Sequence, residues 1–197
     1  MMCRIVTTAS WGLGLAPPYV RHATCNWCRV MGTYREQDPL AAFLIGQQTR
    51  VVEGVLELAS GAGAGRATET RHILRALGDA ETNVLYPAFS RVSLRPETQR
   101  LLDDCRGNRA EQISLLDVLA HKRAVRLRKL AAVELCDRIN HHGEQHVSLL
   151  IPVLASQLPR PLYRSIVHAF TARYEGELAH ALHTREPRRQ RAMVSNV

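Results

Sequence analysis

From Asp38 onward, apolar residues recur every three or four positions, and no stretch alternates for long as a strand would. The pattern predicts helices and an all-α class. Asp38-Pro39 reads as a helix start, with Asp at the N-cap and Pro in the first turn. The glycine-rich SGAGAGRA ends this helix, and Thr68 is placed to cap a second one running to about Phe89. Pro96 and Glu97 open a third. A break near residues 120–127 separates it from a fourth, which runs to about Leu158. The PRP at 159–161 then starts a fifth helix, PLYRSIVHAFTARYEGELAHAL.

The apolar stripes of the first four helices are interrupted by polar residues. The stripes read Leu40, Phe43/Leu44, Gln48, Val51, Val55, Leu58; then Leu74, Leu77, Glu81, Val84, Ala88; then Leu101, Cys105, Gln112, Leu115, Leu119; then Leu135, Ile139, His142, His146, Leu149, Val153. Steps of three and four turn Gln48, Glu81, Gln112, His142 and His146 inward.

The chain also repeats itself. Gly78, Asp79, Leu85 and Pro87 recur 65 residues later as Gly143, Glu144, Leu150 and Pro152. Gln48, Val51, Val52 and Glu53 recur 64 residues later as Gln112, Leu115, Leu116 and Asp117. Two similar helical hairpins predict an antiparallel four-helix bundle with a pseudo-twofold axis and an additional C-terminal helix.

A buried carboxylate needs a partner or must be neutralised. For Glu81 the candidates are His142 and His146, or a metal ion that all three share. His142 and His146 are four apart and face one side of a helix. Gln48 and Gln112 would complete a buried polar layer by pairing with each other. The other histidines named by the pattern, His121, His141, His168, His180 and His183, read as surface or helix-end residues. Metalloprotease motifs fail here. Gly143 follows His142 where a zincin needs Glu, Gln145 precedes His146 where the inverted motif needs it, and Glu144 points to the opposite side of the helix.

The net charge of +8 is concentrated partly in HKRAVRLRK (121–129) and REPRRQR (185–191). These segments read either as solvated ends or as the surface for an acidic partner. Residues 1–37 form an irregular extension, and Met31 opens a stretch that resembles an ordinary start, so residues 1–30 are a candidate start-site extension. His22, Cys25 and Cys28, with Cys3, are a weak zinc candidate. Five cysteines, two of them in helical segments, do not make a disulfide framework. The N-terminal apolar stretch lacks a convincing cleavage site, and no run reaches membrane-spanning length, so a cytoplasmic location is expected. The organisation that follows is an extension over 1–37, a bundle over 38–158, a helix over 159–184 and a basic tail over 185–197.

A helix with His, Glu four residues later and Pro six beyond the Glu resembles the hemerythrin-like family, the HHE cation-binding domains. Residues 77–87 and 142–152 both carry that frame, with Pro87 and Pro152 in place, and the resemblance covers about residues 38–158. It implies an antiparallel four-helix bundle with a di-iron centre serving oxygen, iron or nitric-oxide chemistry. Of the ligand positions it implies, Glu81 and His142 match, whereas Gln48, Leu77 and Gln112 stand for His and His146 stands for the second carboxylate. Three readings follow. His142, His146 and Glu81, with Gln48 and Gln112 near by, hold a single metal, iron, as a two-His, one-carboxylate set. Alternatively the bundle is a metal-free interaction or regulatory module, or it binds an acidic partner through its basic segments. An enzyme is expected only under the first reading, and even there no substrate is indicated.

Overall fold

The structure, a computed structural model, describes residues 38–183 except 123. The N-terminal extension with its cysteines, and the basic tail, lie outside the described residues. Every element is helical. Helix α1 is Pro39–Ala59. Helix α2 starts as Ala64–Ala80, passes through a π-helical turn at Glu81–Leu85 and continues over Tyr86–Ala88. Helix α3 is Pro96–His121. Helix α4 starts as Val125–Gln145, has its own π-helical turn at His146–Leu150 and ends over Ile151–Gln157. Helix α5 is Arg160–His183. Helices α1 and α3 each lie against both α2 and α4, while α5 runs along α2.

Local chemistry sets both ends of α1. Asp38 caps α1, its Oδ1 accepting from Leu40 N at 2.9 Å and Ala41 N at 3.0 Å. Gly61, at φ 104°, takes the left-handed conformation just past the end of α1, where a side chain would be strained. The predicted cap at Thr68 is corrected. Helix α2 begins at Ala64, and the Thr68 hydroxyl donates back to the Ala64 carbonyl at 2.9 Å inside the first turn. The glycine-rich stretch is therefore partly helix.

The two π-helical turns start at repeat-related residues, Glu81 and His146, each six before a proline. In each, the residue just before the proline donates its N–H five residues back, Tyr86 to Glu81 and Ile151 to His146. Proline offers no N–H and its ring crowds the carbonyl four residues earlier, so a wider turn at this point relieves both problems. The extra residue also shifts the inward face. Leu85, Leu150 and Leu154 are buried, whereas the predicted Val84 and Val153 are only half-buried and Leu149 is 52% exposed.

The core lies between α1, α2, α3 and α4, with Leu44, Leu77, Leu116, Leu135 and Ile139 fully enclosed. Truncating any of these leucines to Ala costs about 2–5 kcal/mol. Helix α5 closes one side through Phe170 and Tyr174, which meet the Phe43 ring edge-on at 6.0 and 5.2 Å. The Tyr163 hydroxyl donates to Asp38 Oδ2 at 2.6 Å, tying α5 to the cap of α1.

Helices α1 and α2 approach closely at Gly54. A Cβ there would collide with the Thr70 hydroxyl and stand 3.3 Å from both Thr70 carbons. Thr70 is itself buried, with its hydroxyl donating to the Arg66 carbonyl. Gly54→Ala is therefore expected to cost about 1–3 kcal/mol by overpacking. Thr70→Ala in the same chain should recover most of that loss, as read from urea-unfolding midpoints.

Candidate functional site

Helix α2 buries a carboxylate at its π-helical turn, and α3 supplies the cation that answers it. Glu81 is 0% exposed and Arg109 6%. Arg109 Nε lies 3.0 Å from Glu81 Oε2 and 3.2 Å from Oε1, and Nη2 lies 2.6 Å from Oε1. This is a two-pronged guanidinium–carboxylate clasp. Arg109 Nη1 also donates to Gln112 Oε1 at 2.8 Å, and Gln112 Nε2 donates to the Arg138 carbonyl at 3.4 Å. Burial, the largest single influence, pushes the Glu81 carboxyl up, but Arg109, His142 and His146 together outweigh it, and the group is held well below the usual carboxylate range.

Helix α4 brings both histidines to the same point. His142 Nε2 stands 3.4 Å from each Glu81 oxygen, and its Nδ1 meets Asn108 Nδ2 at 3.3 Å. Burial, then Arg109 and His146, push His142 down to about 3, so it is neutral at physiological pH. The His146 ring lies 4.2 Å from that of His142. His146 Nε2 meets the Tyr86 hydroxyl at 3.3 Å, and that hydroxyl donates to the Cys105 carbonyl at 3.3 Å. His146 Nδ1 is 3.4 Å from Glu81 Oε1 but makes no hydrogen bond. The Cys105 thiol, fully enclosed, faces Gln145 Oε1 at 3.5 Å and is pushed up to about 12 by burial and by the Glu81 charge.

Three of the five expected inward polar residues, Glu81, His142 and His146, converge here, and Gln112 joins them through Arg109. The expected pairing of Gln48 with Gln112 does not form, because the stronger donor Arg109 takes the Gln112 oxygen. Gln48 sits instead against Gly143. Both its amide atoms are buried without a hydrogen-bond partner, and a Cβ on Gly143 would come within 2.5 Å of Gln48 Cδ. Leu77 is fully enclosed by the core. The five histidines expected at the surface are all exposed.

Arg109 is the main residue that sequence reasoning missed. The buried stripe of α3 runs Leu102, Cys105, Arg109, Gln112, Leu116, Leu119 in steps of three and four. Cys105 and Gln112 gave its phase, although Leu102 and Leu116 are buried where Leu101 and Leu115 were expected; arginine is almost never buried unless paired, and its partner lies on another helix. Tyr86 and Cys105 were also missed as members of the site.

Cys105, His142 and His146 can each offer one donor atom such that all three lie within 4.8 Å of one another, so this buried group could hold a metal ion. Glu81 is not part of that group. No protein-family model matches this chain, and neither a curated protein nor a solved structure does.

The titration of the site sets a pH dependence. His142 is held neutral in the fold but binds a proton in the unfolded chain below about pH 6.5. Stability should therefore fall as pH drops from about 6.5 toward 3, by roughly 1 kcal/mol per pH unit for this one proton. Protonation of Glu81 in the unfolded chain adds to the loss below about 4.5. Urea midpoints measured at pH 7, 6 and 5 should decline, and His142→Gln should flatten the part above pH 5.

Proposed function

We propose that this chain is a hemerythrin-like antiparallel four-helix bundle whose di-iron centre has given way to a buried ion pair. In this reading it acts as a non-enzymatic helical regulatory or interaction module, not as an oxygen carrier. The observation that carries the reading is the clasp of Arg109 on Glu81. In a di-metal site, carboxylates face cations that they bind directly. Here the one carboxylate at the expected position faces a guanidinium, which never loses its charge and cannot ligate.

A di-iron centre does not fit the residues present. Leu77 has no donor atom, Gln48 and Gln112 offer only neutral amides, and Glu81 would have to leave Arg109 uncompensated in order to bind iron. The same clasp weighs against a mononuclear iron held by His142, His146 and Glu81.

The surface supports a partner-binding role. Beyond the α3–α4 junction, Val125, Leu127 and Leu130 are exposed by 54, 49 and 60%, beside the exposed Arg126 and Lys129. Apolar side chains among cations suit an acidic, partly apolar protein segment. Leu127→Ser with Leu130→Ser should weaken binding of such a segment without lowering stability.

Two measurements test the reading. Glu81→Leu alone should cost about 3–5 kcal/mol, because it strands the buried guanidinium. Glu81→Leu with Arg109→Met should return close to wild type, since both charges are then gone. A double variant as unstable as the single one would mean the pair is not what Glu81 serves. The wild-type chain, loaded with ferrous iron and exposed to air, should hold far less than one iron and show no oxo-bridge bands. Two irons per chain would overturn the reading. One iron with a chelator-sensitive melt would restore the single-iron alternative.

A further inference from the structure

We infer that Cys105, His142 and His146 form a buried three-coordinate site for a soft monovalent cation, copper(I). This goes beyond the proposed function and does not depend on the ancestry of the bundle. Two observations point to a ligand. The first is the convergence of one thiol and two imidazoles, each 0% exposed, with donor atoms within 4.8 Å of one another.

The second is the orphaned His146 Nδ1. The Tyr86 hydroxyl donates its single hydrogen to the Cys105 carbonyl, so its oxygen accepts from His146 Nε2–H. A neutral ring protonated at Nε2 has a bare lone pair at Nδ1. That lone pair stands 3.4 Å from Glu81 Oε1 with no hydrogen-bond donor facing it.

Charge selects the ion, because Arg109 and Glu81 already cancel each other. The binding step is loss of the thiol proton of Cys105 to solvent with formation of the sulfur–metal bond. Copper(I) in place of that proton adds no net charge to the cavity. A divalent ion would leave one uncompensated positive charge next to Arg109, in a site with no exposed donor, and buried net charge is costly. Zinc would also seek a fourth ligand, and Glu81 is engaged by Arg109. Thiolate is a soft donor that favours copper(I), and two imidazoles with one thiolate is a trigonal set that copper uses in proteins. Bonds of about 2.0–2.3 Å put trigonal donors about 3.5–4 Å apart, so the site closes when His142 Nδ1 releases Asn108 and the three side chains draw together.

The test uses the full chain carrying Cys3→Ser, Cys25→Ser and Cys28→Ser, which removes the thiols of the N-terminal extension. Anaerobic loading with copper(I) and desalting should leave about one copper per chain, with one sulfur and two nitrogen neighbours in X-ray absorption. Cys105→Ser and His146→Ala in this background should each lower retained copper at least tenfold. Cys136→Ser should not change it. Circular dichroism of each variant separates loss of ligand from loss of fold, and if Cys105→Ser does not fold, Cys105→Ala takes its place. No copper uptake by the folded background chain would overturn the site, as would copper retention that survives loss of Cys105. Preferential retention of zinc from an equimolar mixture would overturn the choice of ion.

Discussion

The buried clasp of Arg109 on Glu81 determines how the rest of the interior is arranged. Either charge alone would cost several kcal/mol in this enclosed position, so neither residue can be there without the other. The clasp also sets how α2 and α3 approach. Arg109 Cβ and Cγ pass where a side chain at position 78 would be, 3.3 and 3.4 Å from a Cβ built on Gly78. Because the guanidinium stays charged, Glu81 stays ionised, and His142 stays neutral beside them. These three side chains keep one charge pattern across the neutral pH range.

The repeat is kept in the backbone and broken in the chemistry. Gly78 and Gly143, the π-helical turns and Pro87 with Pro152 all recur in register. The side chains diverge. Glu81 corresponds to His146, and Leu77 to His142. One repeat back from Arg109 stands Ile45, an apolar core residue. Charge has collected between α2 and α3, imidazoles on α4, and α1 contributes the unsatisfied amide of Gln48. A symmetric scaffold thus holds an asymmetric site.

How much was legible follows from the range of each interaction. Asp38, Pro39 and Pro96 act on their immediate neighbours, and the helix starts they mark could be read directly. The inward phase was legible along α1, and along α2 and α4 up to Glu81 and His146, whereas on α3 Leu102 and Leu116 took the inner positions expected for Leu101 and Leu115. Beyond Glu81 and His146 the π-helical turns add a residue that uniform helical spacing does not anticipate, so Leu85, Leu150 and Leu154 took the inner positions expected for Val84, Leu149 and Val153. Arg109 was hidden for another reason. Its position was in phase, but its burial depends on Glu81, 28 residues away on a different helix. The partner of Gln112 and the isolation of Gln48 depend in turn on Arg109 and were out of reach without it.

The bond from Tyr163 to Asp38 spans 125 residues. During synthesis, α1 and its cap emerge long before Tyr163 exists. In that interval Asp38 can cap α1 with one oxygen, while its other oxygen and the face of Phe43 remain in water. Helix α5 therefore docks onto a surface that has waited for nearly the whole described chain. Contacts this distant in sequence form slowly, because the intervening chain must already be ordered. A ribosome stalled before residue 160 would present α1 with its aromatic side uncovered, an apolar surface that chaperones recognise in chains not yet finished.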